Sequence, residues 1–463
     1  MKVLLIRPPY DTRSISPNFP IGLAYLAAAL RESGHHPNVL DMPMEREPFE
    51  TLRDHLRNDF YPLIGISSMT IQYPGAREVV EIAKTISPRS RIVLGGAHPS
   101  VLAADTLEET GCDFVVKGEG EVAIARLADA VETDSRVEDV PSLVFREGGR
   151  VCVNRGADAL TPDRIATPAY DLFDLTPYFN LAMSEYVRPG SRPMPIFTSR
   201  GCPFHCTFCH DLFTKQFRAR SADHVLREIL MLYRDYRVNE FLIYDDIFNL
   251  DIARAKSIFR KVIDSGIQAG FSFPNGLRIE IIDDELMSLM AAAGVHTISF
   301  AVETASERMQ KLIKKRLKLD KVAHSLKLAR RHGIRTQGFF IIGFPHETRA
   351  EINQTIRFAR RLRDLDYAFF SFATPYPGTD LAREVEELGF MGDLHMSSLD
   401  FYEPHVATPE FSLADLRLLR LKAALTFYAR PRRAINIARQ ILNPHFRALY
   451  LAPLLRMLQL SQR

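Results

Sequence analysis

Thr198-Ser-Arg-Gly-Cys-Pro-Phe-His-Cys-Thr-Phe-Cys-His210 is the stretch from which the fold of this 463-residue chain is read. Its cysteines, Cys202, Cys206 and Cys209, follow the spacing Cys-x3-Cys-x2-Cys, so one short loop supplies three thiolates. That is one short of the four that close an iron–sulfur cluster used for electron transfer. One iron is left open for a substrate or cofactor, and a vacant coordination position marks a metal site built for chemistry. Cys112 and Cys152 are the only other cysteines, too few for a disulfide framework in a chain of this length. A structural zinc site would call for a second Cys-x2-Cys pair, which is missing.

Beyond the loop, short apolar runs alternate with helical patterns. The runs occupy residues 240–246, 270–275, 296–303, 338–345 and 367–372. This alternation predicts repeated βα units on a parallel sheet, and such sheets bind ligands at the carboxyl ends of their strands. Tyr244, Asp245 and Asp246 close the first run, Glu303 the third, and Gly343 with Pro345 the fourth. Each acid taken singly reads equally well as a satisfied loop carboxylate or a helix cap.

Gly201-Cys202-Pro203 at the start of the loop and Phe208 before its last cysteine make the motif similar to the signature of radical S-adenosylmethionine (SAM) enzymes. The resemblance implies a [4Fe-4S] cluster on Cys202, Cys206 and Cys209, with SAM chelating the open iron through its amino and carboxylate groups. In that superfamily one electron from the reduced cluster splits the sulfonium, and the resulting 5′-deoxyadenosyl radical takes hydrogen from unactivated carbon. The resemblance assigns cofactor contacts to Phe208, to Tyr244, to Asp245 or Asp246 at the methionine amine or ribose, and to Asn275 and Arg278. It assigns Glu303 to the ribose or sulfonium and the backbone of Ile341 to Gly343 to the adenine.

The first 140 residues read as a separate unit. Residues 2–7 form an apolar strand that stops at Pro8-Pro9, too short and too charged for a signal peptide, so a cytoplasmic location is expected. Strand and helix patterns then alternate to Lys117, the size of one doubly wound α/β domain. Residues 64–70 (Ile-Gly-Ile-Ser-Ser-Met-Thr) and 92–100 (Ile-Val-Leu-Gly-Gly-Ala-His-Pro-Ser) resemble two motifs of cobalamin-binding domains. By that resemblance Ser67 contacts the nucleotide tail and Met69 occupies the Leu-like position of its motif, while Gly95 and Gly96, in the loop that also carries His98, let the tail pass close to the backbone. Gly118 and Glu119 belong to the closing element. The Asp-x-His-x-x-Gly motif, whose histidine ligates cobalt in many cobalamin domains, has no counterpart between Arg7 and Leu23.

Prolines crowd residues 141–195, which read as a linker laid over the domains, followed by a radical SAM domain over 196–385. The expected architecture is therefore α/β: a doubly wound cobalamin-binding-like domain, a partial (β/α)6 barrel, and a C-terminal helical region over 386–463. With 59 basic and 56 acidic residues the chain has no net charge that would suggest nucleic acid. After Asp415, however, there are ten Lys or Arg residues and no acid, among apolar runs too short to span a bilayer. This tail reads as a peripheral membrane helix, a partner-binding helix or a cap on the barrel.

The paired resemblances indicate a cobalamin-dependent radical SAM enzyme, the class that includes the anaerobic magnesium-protoporphyrin monomethyl ester cyclase and many carbon methylases. Methyl transfer to an unactivated carbon of a small-molecule or lipid-like substrate is the leading expectation, with flavodoxin or ferredoxin as electron donor. Oxidative cyclisation or ring rearrangement is the alternative, and a non-catalytic cobalamin sensor is a third reading that leaves the cysteine loop unexplained. No side chain stands out as a catalytic base, and radical chemistry does not demand one.

Overall fold

Val3 and Leu5 pack on one face of a sheet and Leu4 and Ile6 on the other, because successive side chains of a strand point to opposite sides. A strand buried on both faces is apolar throughout, which is why β1 (Lys2–Arg7) shows no alternation in its sequence. The same division holds along β3 (Leu63–Ser67) and β4 (Arg91–Gly95). With β2 (His36–Asp41) and β5 (Phe114–Val116), the parallel strands take the order β2-β1-β3-β4-β5. Helices Pro48–Asn58 and Tyr73–Ile86 cover one face, and Ile21–Glu32 and Glu121–Thr133 the other.

This computed structural model describes residues 1–10, 18–156, 159–181, 186–390, 399–443 and 447. They fall into two units that divide after Leu181, so the region read as a linker over 141–195 is shared between them. Its first part is a hairpin, β6 (Leu143–Glu147) and β7 (Arg150–Val153), added antiparallel to β5. Gly148-Gly149, both at positive φ, form the two-residue turn. Its last part is β8 (Pro193–Ile196), the edge strand of the second sheet.

In the second unit β9 (Ser199–Arg200) and β10 (Arg218–Ala219) pair antiparallel at the two ends of the cysteine loop. Beyond them come β11 (Glu240–Ile243), β12 (Gly270–Leu277), β13 (Val295–Glu303), β14 (Arg335–Ile342) and β15 (Tyr367–Phe372). The sheet order β15-β14-β13-β12-β11-β8 is sequential and parallel, as a partial (β/α)6 barrel requires. All but one of the intervening helices begin at a side-chain cap, the exception being Leu319–Arg331; Thr348 and Glu351, for example, form a reciprocal capping box for Arg349–Arg361.

The C-terminal helices Leu413–Tyr428 and Pro431–Leu442 are attached to this barrel. Tyr428 exchanges hydrogen bonds with the backbone of Ala368 in β15. Arg433 is buried and donates to the carbonyls of Leu365, Arg360 and Phe427; burial lowers its guanidinium to about 10. This part of the basic segment is a barrel cap, whereas the run 448–458 lies outside the described residues. No helix among the described residues is long and apolar enough to cross a membrane.

Candidate active site

Gly201, at φ +80°, sets the shape of the cysteine loop. A Cβ there would lie 2.2 Å from the Gln216 carbonyl oxygen, so the residue before the first thiol must be glycine. The Cys209 N–H donates to the Cys206 carbonyl at 3.1 Å and closes the turn. Two bonds pin the loop to the barrel: the Thr207 N–H donates to the Ile313 carbonyl at 3.1 Å, and the Leu381 N–H to the Thr207 carbonyl at 2.8 Å. Phe208 packs inward with Met309, Phe344 and Leu381, and Phe204 lies 3.6 Å beneath the Arg278 guanidinium. Arg278 also pairs with Glu280 at 2.9 Å.

A cavity of about 380 Å³ opens at the loop, lined among others by Cys202, Cys209, Asp246, Asn275 and Phe339. That volume suits a small organic ligand. Only one of the two adjacent acids faces it. Asp246 lines the cavity and accepts the Gly201 N–H at 3.2 Å, and burial raises its carboxyl above the ordinary range. Asp245 is 2% exposed and accepts from the Thr198 N–H at 2.6 Å, the Thr198 hydroxyl at 2.5 Å and the Ser199 hydroxyl at 2.6 Å. Both its oxygens hold the start of the cysteine loop. Asn275 donates to the Tyr244 carbonyl at 2.8 Å, and burial pushes the Tyr244 phenol up to about 12.

Glu303 ends β13 at φ +66°, an uncommon backbone conformation for a residue with a side chain. Its carboxylate lies 3.1 Å from the Lys315 ammonium, which is close enough to act electrostatically on Cys206. Lys315 escapes the sequence reading because Lys314-Lys315-Arg316 looks like a solvated charge run. The expected adenine-binding backbone at Ile341 to Gly343 is partly committed within the protein, because the Gly343 N–H donates to Glu347 Oε2 at 2.8 Å. Glu347, also unanticipated, is fully buried with its Oε1 unpartnered among the described residues. Burial raises its carboxyl to about 8.

In the first unit the expected cobalamin residues gather at the carboxyl ends of β3, β4 and β5. Gly96, φ +95°, has no room for a Cβ, which would fall 2.7 Å from the Ser68 carbonyl oxygen. Ser67 stands half-buried beside it, and Met69 is 49% exposed. Gly95 accepts the Ser68 N–H through its carbonyl at 2.9 Å. His98 is buried: its ring lies 3.9 Å from that of Tyr73, and burial lowers its imidazole. The Gly118 N–H donates to the Ser100 hydroxyl at 2.9 Å, and Glu119 is half-buried next to it.

Both donor sets fit the cofactors they suggest. Three thiols on one loop are the soft ligands an iron–sulfur cluster takes, and burial raises the Cys202 and Cys206 thiols above their ordinary range, a cost that a bound metal would offset. The strand order of the first unit puts a topological switch point between β1 and β3, beside the end of β3 and the loop after it, which carry Ser67 and Met69, and doubly wound sheets bind nucleotide-bearing ligands at such points.

Comparison with known proteins agrees at the level of both units. Residues 15–128 match the B12 binding domain and residues 196–359 the radical SAM superfamily. An uncharacterized methyltransferase of Pyrococcus horikoshii is 32% identical over 93% of each chain. The cytidylyl-2-hydroxyethylphosphonate methyltransferase of Streptomyces wedmorensis is 29% identical over 81% of this chain and 79% of its own. Anaerobic magnesium-protoporphyrin IX monomethyl ester cyclases are also relatives, that of Rubrivivax gelatinosus at 27% identity over 88% of this chain and 73% of its own. Among solved structures, the cobalamin-dependent S-adenosylmethionine radical enzyme OxsB superposes with a TM-score of 0.78 at 17% identity, covering 99% of this chain and 71% of that one. The chain belongs to the family of radical SAM enzymes that carry a B12-binding domain.

Proposed function

We propose that the chain methylates an unactivated carbon of a small-molecule substrate. The observation that carries this reading is the set of three thiols on a loop bordering a cavity of about 380 Å³, in a chain whose relatives include methyltransferases. Cys202, Cys206 and Cys209 hold a [4Fe-4S] cluster, the loops after β3, β4 and β5 hold cobalamin, and SAM binds at the barrel cavity. Together these groups supply a 5′-deoxyadenosyl radical and a transferable methyl group.

The protein's own share is positioning. Asp246 and Asn275 present polar groups to the cavity where the SAM amine or ribose is expected, and Asp245 fixes the loop that carries the thiols. Lys315 and Glu303 bring a buried ion pair to the same strand ends. Glu347 holds the Gly343 turn. Phe339 lines the cavity and Phe208 packs on Phe344 behind the cysteine loop, apolar surface that would limit water near a reactive carbon radical.

A one-electron donor such as flavodoxin or ferredoxin is the protein partner this chemistry requires. Peripheral membrane contact through the basic C-terminal segment is part of the proposal, and with it a lipid-like substrate.

The test compares small-molecule and lipid extracts of the native organism with those of a Cys206→Ala strain by high-resolution mass spectrometry. A metabolite lacking one CH2 unit in the mutant supports methylation and names its substrate. A precursor that differs by hydrogens or oxygen instead assigns the chain to cyclisation.

A further inference from the structure

We propose that the surface formed by Lys311, Arg316 and Lys318 docks an acidic one-electron carrier protein of the flavodoxin or ferredoxin kind. This rests on the radical SAM reading above, which creates the need for the electron.

The turn 313–317 connects this surface to the cysteine loop. On its inner side the Ile313 carbonyl accepts the N–H of Thr207, the residue after Cys206, and Lys315 turns inward to Glu303. On its outer side Lys314 and Arg316, at φ +54° and +52°, face solvent. One buried side chain holds this shape. Gln310 donates to the carbonyls of Val302 at 2.8 Å and Thr304 at 2.7 Å, and its Oε1 accepts the Leu317 N–H at 3.0 Å. The turn is therefore a rigid bridge from β13 and the thiol loop to the outside.

The outer charges lack internal use. Lys314 pairs with Asp380 at 2.8 Å, whereas Lys311, Arg316 and Lys318 are exposed and have no ionic partner among the described residues. Residues 307–321 hold seven Lys or Arg against two acids in a chain that is nearly neutral overall. These side chains border a groove of about 660 Å³ whose lining also includes Glu307, Asp320, Leu317 and Leu319, so its three cations face two acids and the basic surplus comes from the whole segment 307–321. An open groove with spread cations and apolar residues suits the rim and core of a protein interface better than a converging small-anion pocket. The net basic surplus of the segment, seven Lys or Arg against Glu307 and Asp320, speeds encounter with an acidic partner.

In the docked state one electron would leave the reduced carrier, oxidising it, and would reduce the cluster that Cys202, Cys206 and Cys209 would hold. No bond forms or breaks.

The test uses the reconstituted full chain and a flavodoxin. Binding is measured by calorimetry at low and high salt, and SAM cleavage is driven either by reduced flavodoxin or by dithionite. Lys311→Glu/Lys318→Glu is expected to weaken flavodoxin binding about tenfold or more at low salt and flatten its salt dependence. Flavodoxin-driven cleavage should fall in step, with dithionite-driven cleavage unchanged. The Lys311→Arg/Lys318→Arg variant should restore binding. Unchanged affinity in the charge-reversed variant overturns the proposal, as does an equal loss with dithionite, which would make these lysines part of the SAM site. Failure of the unaltered chain to cleave SAM with dithionite refutes the functional reading instead, while the affinity comparison still decides the docking surface.

Discussion

Asp245 and Asp246 are adjacent in sequence and opposite in environment, because consecutive residues at a strand end face opposite sides. Asp245 accepts three hydrogen bonds in a buried site, and removing an acceptor leaves each donor unsatisfied at about 1–3 kcal/mol. Asp245→Ala is predicted to lower stability by at least about 3 kcal/mol in denaturant titration. Asp246→Ala gives up a single hydrogen bond, from the Gly201 N–H, and should cost about 1–2 kcal/mol, less than Asp245→Ala, while weakening SAM in equilibrium binding; the reverse pattern would contradict the assignment. The sequence locates the pair but cannot rank its members, since the choice depends on which side of the strand end the cavity opens.

Glu347 gives a pH prediction. Its carboxyl titrates at about 8 in the folded chain against 4.5 when unconstrained, raised by burial. Between those values the folded chain keeps a proton that the unfolded chain has lost, so this group's contribution to stability falls as pH rises from 4.5 to about 8 and then levels. Glu347→Gln keeps an acceptor for the Gly343 N–H and cannot ionise. The variant should lose this decline and be a few kcal/mol more stable than the parent at about pH 8, read from urea unfolding at several pH values. Identical pH profiles would contradict the burial argument. The three cysteines were legible because metal ligation depends on local spacing. Lys315 and Glu347 were not, because their burial is created by turns whose geometry no composition signals.

At the scale of elements, β8 shows what proline density conceals. The Ile196 carbonyl accepts the Tyr244 N–H at 3.0 Å, so even-numbered residues of this strand face β11. Pro193 and Pro195 then fall where a missing N–H points away from the sheet, which an edge strand tolerates. Met194→Pro should therefore cost about 3 kcal/mol or more, whereas Pro195→Ala should cost less than about 1 kcal/mol, both measured by thermal unfolding. Equal effects would mean the register is wrong. Sequence reasoning misses the β6–β7 hairpin: Gly148-Gly149 between two apolar runs is its signal, but the prolines of the stretch that holds it make that stretch read as a linker. The helix Pro48–Asn58 was harder to see, because Leu52 and Leu56 are its only buried residues.

For the whole molecule, near neutrality hides local concentrations of charge, such as the basic residues around Lys315 and those after Asp415. Part of the latter serves packing: Arg433 spends its guanidinium on the barrel carbonyls of Leu365 and Arg360. The succession of the two α/β units was legible because parallel sheets repeat one pattern of apolar run and amphipathic helix. The division at Leu181 was not, since the hairpin and β8 lie in a stretch whose prolines resemble those of a connection.

The central claim is that the thiol loop makes this chain a radical SAM enzyme. It is tested most directly by reconstituting the chain anaerobically with iron and sulfide, adding SAM and dithionite, and quantifying 5′-deoxyadenosine by mass spectrometry. The account predicts its formation by the unaltered chain and its loss in Cys202→Ala, Cys206→Ala and Cys209→Ala alike. Formation that survives replacement of any one of these cysteines would contradict it.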